Sequence, residues 1–161
     1  MTDVVLYDYW RSSASYRVRI ALNQAGIGYR SVVVDLLGGA QRSPAHLDRN
    51  PQGYVPALEI DGLLMTQSLA MIEYIDETRG AGFLPDDAAG RARARALSHV
   101  IAMDIHPVCN SNVMARVADL SGGREGAKEE WMRHYIRKGL AAFEVLLDNP
   151  ATGRFCHGDR P

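Results

Sequence analysis

The chain has 161 residues, of which 47% are hydrophobic and 23% charged, with a formal net charge of −1. That length and apolar content allow one domain or two small ones with a real core, and the near-neutral charge gives no electrostatic reason to expect nucleic acid or an anionic membrane as a partner. No apolar run approaches the ~20 residues of a membrane span, and the N-terminus lacks the basic, apolar and small-residue order of a secretory signal, so the expected address is cytoplasmic.

The first element is a strand in "VVLYDY", β-branched and aromatic. It runs into "WRSSASYRVRIAL", where Val18, Ala21, Leu22 and Ala25 share the buried face of a helix. Ser12, Ser13 and Ser15 stand at the start of that helix, where unpaired backbone N–H groups and the positive end of the dipole face outward. A hydroxyl there either caps the helix or donates to an anion brought from outside. Gly26 stops the helix, and "YRSVVVDL" supplies a second strand, parallel to the first through a right-handed crossover. "SPAHLDRN" reads as a short helix with Ser43 as cap and Pro44 at its first position. "VPALEIDGLLM" is a hairpin around Asp61-Gly62. In "TQSLAMIEYIDETRG", Leu69, Ile72 and Ile75 mark a helix face, with Ser68 as cap and Gly80 as stop. The order through Gly80 is βαβαββα.

"GAGFLPDDAAG" has the composition of a connector, which divides the chain into a domain over 1–80, a linker over 81–90 and a helical domain over 91–161. Ala94, Leu97, Ile101 and Ile105 predict one long helix from Arg91 to Val117, kinked at Pro107, and Met132, Ile136, Leu140, Phe143 and Leu147 predict a second from Glu125 to Leu147. Arg91, Arg93 and Arg95 spread around the solvated side of the first of these. Cys109 and Cys156 read as small buried hydrophobes, and with His106 and His157 they lack the compact spacing of a zinc site, so no metal is expected.

A βαβαββα unit followed by helices, carrying "SSASYRVRIAL", "YVPALEIDG" and "TQSLAMIEYI", resembles the zeta class of glutathione transferases, and within it the maleylacetoacetate isomerases, from Val4 to Pro161. The resemblance implies an α/β thioredoxin-like N-terminal domain with a mixed sheet, and an all-α C-terminal domain. That second domain is expected to be incomplete, because the chain ends at "FCHGDRP" where the family continues with "TLAD" and a further helix. The implied cofactor is glutathione, and the implied reaction is cis-trans isomerisation of a keto-diacid, maleylacetoacetate to fumarylacetoacetate, by reversible thiolate addition.

The family roles fall on this sequence as follows. Ser12 is the principal donor to the glutathione sulfur, Ser13 supports it, and Arg11 offers positive potential to the thiolate or to a substrate carboxylate. A free thiol of pKa ~8.5 is largely protonated at neutral pH, and a hydroxyl donor, a helix N-terminus and a guanidinium all favour its anion. Val55 pairs its backbone with the cysteinyl moiety, helped by a cis peptide at Pro56, while Gln67 and Ser68 hold the γ-glutamyl end. His46 either reaches the glycine carboxylate or is a solvated surface histidine. His106 and Asn110, one turn apart, either face substrate in a cleft between domains or, for the histidine, pack beside a proline. Ala14 departs from the cysteine that many members carry, which removes a candidate for thiol–disulfide exchange and leaves the serine chemistry intact. The family pattern further implies a homodimer. Competing activities are maleylpyruvate isomerase, whose compared members carry arginines where this chain has Ser111 and Asn112, and a general glutathione transferase or α-haloacid dehalogenase. A non-catalytic glutathione-binding protein is the alternative of a different class, against which Ser12, Gln67 and Ser68 count.

Overall fold

In the computed structural model, which describes residues 3–159, the strand β1 (Val5–Asp8) is buried along its whole length because it has a neighbour on each side. β2 (Arg30–Val33) runs parallel to it, with Val5 opposite Arg30. β3 (Ala57–Ile60) runs antiparallel on the other side, with Tyr7 opposite Ala57, and β4 (Leu63–Met65) pairs antiparallel with β3, placing Leu58 opposite Met65. The sheet order is β2-β1-β3-β4, the mixed thioredoxin-like arrangement expected. Asp61 and Gly62 both take positive φ, 53° and 79°, the pair of left-handed residues that a two-residue hairpin needs to match strand twist.

The helices α1 (Ser13–Gln24) and α3 (Ser68–Arg79) supply one side of a core in which Leu6, Val18, Leu22, Leu58, Met71 and Ile75 are all fully buried. Each such side chain contributes roughly 1.5–3 kcal/mol by leaving water. A second cluster of Val5, Tyr7, Tyr9, Val34, Val55 and Ala57 holds the alternate residues of β1. The short α2 (Pro44–Leu47) is capped by Ser43, whose Oγ accepts from the His46 N–H.

The chain divides into two units, 1–83 and 84–161. The predicted linker is shorter than 81–90: Phe83 packs on the first core, and α4 (Ala88–His99) begins within the expected linker because Asp87 caps it, Oδ1 accepting from the Gly90 N–H at 2.7 Å. The helix expected from Arg91 to Val117 with a kink at Pro107 is instead broken into separate segments. α4 gives way to a π-helical stretch at Val100–Ile105, then a 3₁₀ turn at Pro107–Cys109, and α5 (Ser111–Leu120) starts afresh with Asn110 as its cap. Pro107 removes a backbone donor and its ring clashes with the preceding turn, and packing locks the break in place. Ile105 is buried against Gly139 of α6 (Ala127–Leu147), so closely that a Cβ on Gly139 would collide with it, and the Trp131 indole donates to the Val108 carbonyl at 2.9 Å.

Two surface expectations also change. Arg93 is half-buried and engaged: its guanidinium donates to the Leu146 carbonyl at 3.2 Å and to Thr152 Oγ1 at 2.7 Å, tying α4 to the end of α6. Cys156 is exposed, and Cys109 is partly buried, its thiol pKa raised by desolvation so that it stays protonated at neutral pH. No helix among the described residues is long and apolar enough to cross a membrane.

Asp61 accepts from Arg79 at 2.7 Å and from the Tyr74 hydroxyl at 2.8 Å, and these bonds, Arg79 first, hold its carboxyl below the usual carboxylate range. A depressed folded-state pKa adds stability that is present above the unfolded pKa and lost as pH falls through the folded value. Asp61→Asn should therefore be less stable than the parent at neutral pH, with the gap closing as pH is lowered through the acid range, as read by urea midpoints at a series of pH values.

Candidate active site

Strand direction brings the predicted residues of the first unit together. The chain leaves β1 after Asp8, enters β3 at Ala57 and leaves β4 after Met65, and the register puts those three points at the same end of the sheet. The turn from Tyr9 to Ser12, the Val55–Pro56 pair and the Thr66–Gln67 connection accordingly converge there.

Ser12 is the N-cap of α1, in extended conformation, and its Oγ accepts from the Ser15 N–H at 3.2 Å. Capping uses the oxygen lone pair and leaves the hydroxyl hydrogen for an acceptor outside the helix, so cap and donor are not exclusive roles. Ser13, the first residue of α1, is exposed. Ser15 is fully buried, its Oγ without a partner among the described residues, so it is a packed residue and not a surface donor. Arg11 is exposed and lies 5.7 Å from the ring centroid of Trp10, itself 71% exposed. One turn into the helix, Arg17 is partly buried, and desolvation lowers its pKa from the usual guanidinium value.

The peptide between Val55 and Pro56 is cis, as the resemblance implied. His46 is not a surface histidine: it is 2% exposed and its Nε2 lies 2.9 Å from the Tyr54 carbonyl, to which it donates. Asn50, also buried, donates Nδ2 to the same carbonyl at 3.0 Å and accepts from the Gln52 N–H at 3.1 Å. Both side chains therefore shape the backbone that leads into Val55. Sequence reasoning missed Asn50, although Asn-Pro-Gln-Gly is a turn composition that could have flagged it.

Gln67, and not Ser68, is the N-cap of α3, and it caps with no side-chain bond; Ser68 is the buried first residue of the helix. The cause is backbone shape, since Gln67 sits at φ 67°, a left-handed conformation uncommon outside glycine. That conformation turns the amide away from the helix, where its Nε2 donates to Gln52 Oε1 at 2.8 Å. Such outliers cluster at ligand-binding positions.

His106 and Asn110 lie in the second unit and are not one turn apart on a continuous helix, because the break at Pro107 separates them. Asn110 is extended, its Oδ1 accepting from the Ser111 N–H at 2.8 Å, which leaves its Nδ2 donors for another group. Among the described residues no group of three or more His, Cys, Asp or Glu is arranged to hold a metal ion.

The glutathione S-transferase N-terminal domain family matches residues 2–77. Over 160 residues, 99% of this chain and 75% of the relative's length, the sequence is 65% identical to maleylacetoacetate isomerase of Rhizobium meliloti strain 1021. The holo structure of a maleylpyruvate isomerase described as a bacterial glutathione transferase of the zeta class superposes with a TM-score of 0.93 at 38% identity, covering 98% of this chain and 75% of that one. The chain belongs to the zeta class of glutathione S-transferases. A second solved neighbour, maleylacetoacetate isomerase from Methylobacterium extorquens AM1 with bound malonate and glutathione, also has a TM-score of 0.93, at 44% identity over 97% of this chain and 74% of its own length.

In this zeta-class chain the buried His46 is part of the fold of the site. Replacing it by Ala empties a packed position and takes one of two donors from the Tyr54 carbonyl, which should cost about 2–4 kcal/mol of unfolding free energy. Urea denaturation measures this, and a variant as stable as the parent would show that Asn50 alone suffices.

Proposed function

We propose that this chain is a glutathione-dependent isomerase that converts maleylacetoacetate to fumarylacetoacetate. The observation that carries the reading is the meeting of Ser12, the cis Val55–Pro56 peptide and the uncapped start of α3 at one sheet end. It occurs in a chain 65% identical to a protein bearing that name. Maleylpyruvate isomerisation is the second reading, supported by the solved neighbour of that name at the lower identity of 38%.

The donor set fits the tripeptide. A thiolate asks for a hydroxyl donor at a helix N-terminus, and Ser12 has a free hydroxyl hydrogen there. A carboxylate asks for amide donors and unpaired helix N–H groups, and Gln67 and Ser68 provide both. When bound, glutathione supplies a thiolate that adds reversibly to the cis double bond, which turns as a single bond before the thiolate departs.

The residues do the rest. Ser12 donates its hydroxyl hydrogen to the sulfur and stabilises the anion, with Ser13 beside it and Arg11 adding positive potential from the exposed turn. Val55 docks the cysteinyl backbone beside Pro56. His46 and Asn50 hold Tyr54, and so Val55, in place, which gives His46 a positioning role that neither of its two expected readings, glycine-carboxylate contact or surface histidine, contained. Gln67 and Ser68 bind the γ-glutamyl carboxylate. His106 and the Asn110 amide are proposed to contact the carboxylates of the keto-diacid. The first unit carries the cofactor and the second the substrate in this assignment.

Two features of setting complete the reading. The cytoplasm suits a protein that uses a reduced thiol and carries the free cysteines Cys109 and Cys156. A homodimer is proposed because Leu63 and Leu64 of the edge strand β4, at 48% and 46% exposure, and Met103 at 54%, leave apolar surface for a second copy to cover.

Ser12→Ala should reduce turnover by about tenfold or more while changing glutathione affinity only a few-fold, since the lost bond acts on sulfur ionisation. Gln67→Ala should do the reverse, weakening glutathione binding with a smaller effect on the rate at saturation. Steady-state kinetics and calorimetric titration separate the two, and unchanged turnover in Ser12→Ala would move the donor role to Ser13. Light scattering at micromolar concentration should return twice the chain mass; a monomer would remove the dimer from this reading.

A further inference from the structure

We propose that Asp8 and Arg19 are positioning residues that hold the Tyr9–Ser12 turn so that the Ser12 hydroxyl is aimed at the glutathione sulfur. The inference rests on the donor role assigned to Ser12 and adds what fixes that donor in space.

Asp8 ends β1 and is only 3% exposed, an expensive place for a carboxylate unless every oxygen is matched. Its Oδ1 accepts from Ser31 Oγ of β2 at 3.1 Å, and its Oδ2 accepts from Arg19 Nη1 at 2.5 Å. The second nitrogen of the same guanidinium, Nη2, donates to the Trp10 carbonyl at 3.2 Å. Trp10 lies inside the turn closed by the Ser12 N–H on the Tyr9 carbonyl at 2.9 Å. Arg19 follows Ser12 by seven residues, two helical turns, so it projects from the face of α1 that Ser12 heads. The fork thus ties β1, the turn and α1 together, and Asp8 extends the link to β2 through Ser31.

Charge pairing alone does not explain the arrangement. A buried ion pair is commonly no more stabilising than well-packed apolar residues, so the benefit is to be sought in geometry. A guanidinium presents two donors in a fixed plane and can serve Asp8 and Trp10 at once, whereas a lysine ammonium on a flexible stem cannot reproduce that fork. A shift of about 1 Å at a reacting group can cost on the order of a hundredfold in rate. Tyr9 packs in the second core cluster at the start of the turn, while Trp10 and Arg11 are exposed, so the Arg19 bond adds a tie at the middle of the turn.

The test is ultraviolet titration of the bound glutathione thiol, alongside affinity, turnover and thermal midpoint, in Arg19→Lys, in the double variant Asp8→Leu/Arg19→Met, and in Ser12→Ala as reference. The double variant leaves no buried charge and is expected to fold with a midpoint near the parent's. Both positioning variants should move the thiol pKa up toward the free value of ~8.5 and lower turnover at least about tenfold, with glutathione affinity within about threefold because Val55, Gln67 and Ser68 are untouched. If the folded double variant keeps the parent's thiol pKa and turnover while Ser12→Ala loses both, the positioning role is overturned and the donor role stands. If Ser12→Ala itself leaves the thiol pKa unchanged, the donor role fails first, and this inference falls with it.

Discussion

Because β1 and β3 run in opposite directions, with Tyr7 opposite Ala57, the residue that leaves one strand and the residue that enters the other meet at a single end of the sheet. β4 reverses once more, so the segment before α3 returns to that same end. A register slip of one residue would send the alternating side chains of β1 to the wrong faces, exchanging Leu6 and Tyr7 between their two clusters. The burial of those clusters therefore specifies the pairing, and the pairing assembles the site. No loop length or local propensity could substitute for it.

At that end the molecule buries an unusual set of polar side chains for so apolar a neighbourhood: Asp8, Ser15, His46, Asn50 and Ser68. Three of them have partners drawn from other segments, while the Ser15 Oγ has none among the described residues. Asp8 is matched by Ser31 and Arg19, and His46 and Asn50 share one carbonyl. Each satisfied bond nets only about 1 kcal/mol, while each one broken leaves a desolvated group behind, so the network favours a single arrangement more than it adds stability. The role proposed for Ser12, holding a sulfur anion within hydrogen-bond reach of one hydroxyl, would benefit from that kind of rigidity.

The second unit shows a different constraint. Its helices approach closely where Gly139 admits Ile105, and the chain between His99 and Ser111 departs from α geometry to make that contact alongside Pro107. The discontinuity frees Asn110 from a helical position and makes it the cap of α5. Both residues proposed to meet substrate thus lie within a stretch that departs from α geometry, where backbone groups and side chains have orientations that a straight helix would deny them.

The order of strands and helices in the first unit was legible in the chain itself because it depends on local periodicity: alternation in "VVLYDY", a spacing of three and four in "RVRIALNQA", and left-handed turn chemistry at Asp61-Gly62. Ser12, Val55, Pro56 and Gln67 could be singled out only through the family resemblance that their motifs carry, and the sheet register then brings their segments to one end. Other features depended on contacts between distant segments and left no local trace. The capture of Trp10 by Arg19, the burial of His46 against Tyr54, the shift of the α3 cap from Ser68 to Gln67, and the use of Arg93 to bind the far end of α6 all arise when separate stretches compete for the same donors and acceptors. The interruption of the long helix was legible in part, through Pro107, while the π-helical stretch before it accompanies the packing of Ile105 on Gly139, which the spacing did not reveal. Periodicity is a property of neighbouring residues and could be read from the chain; the pairing of buried polar groups and the fit of one helix on another are settled only when the whole surface is brought together.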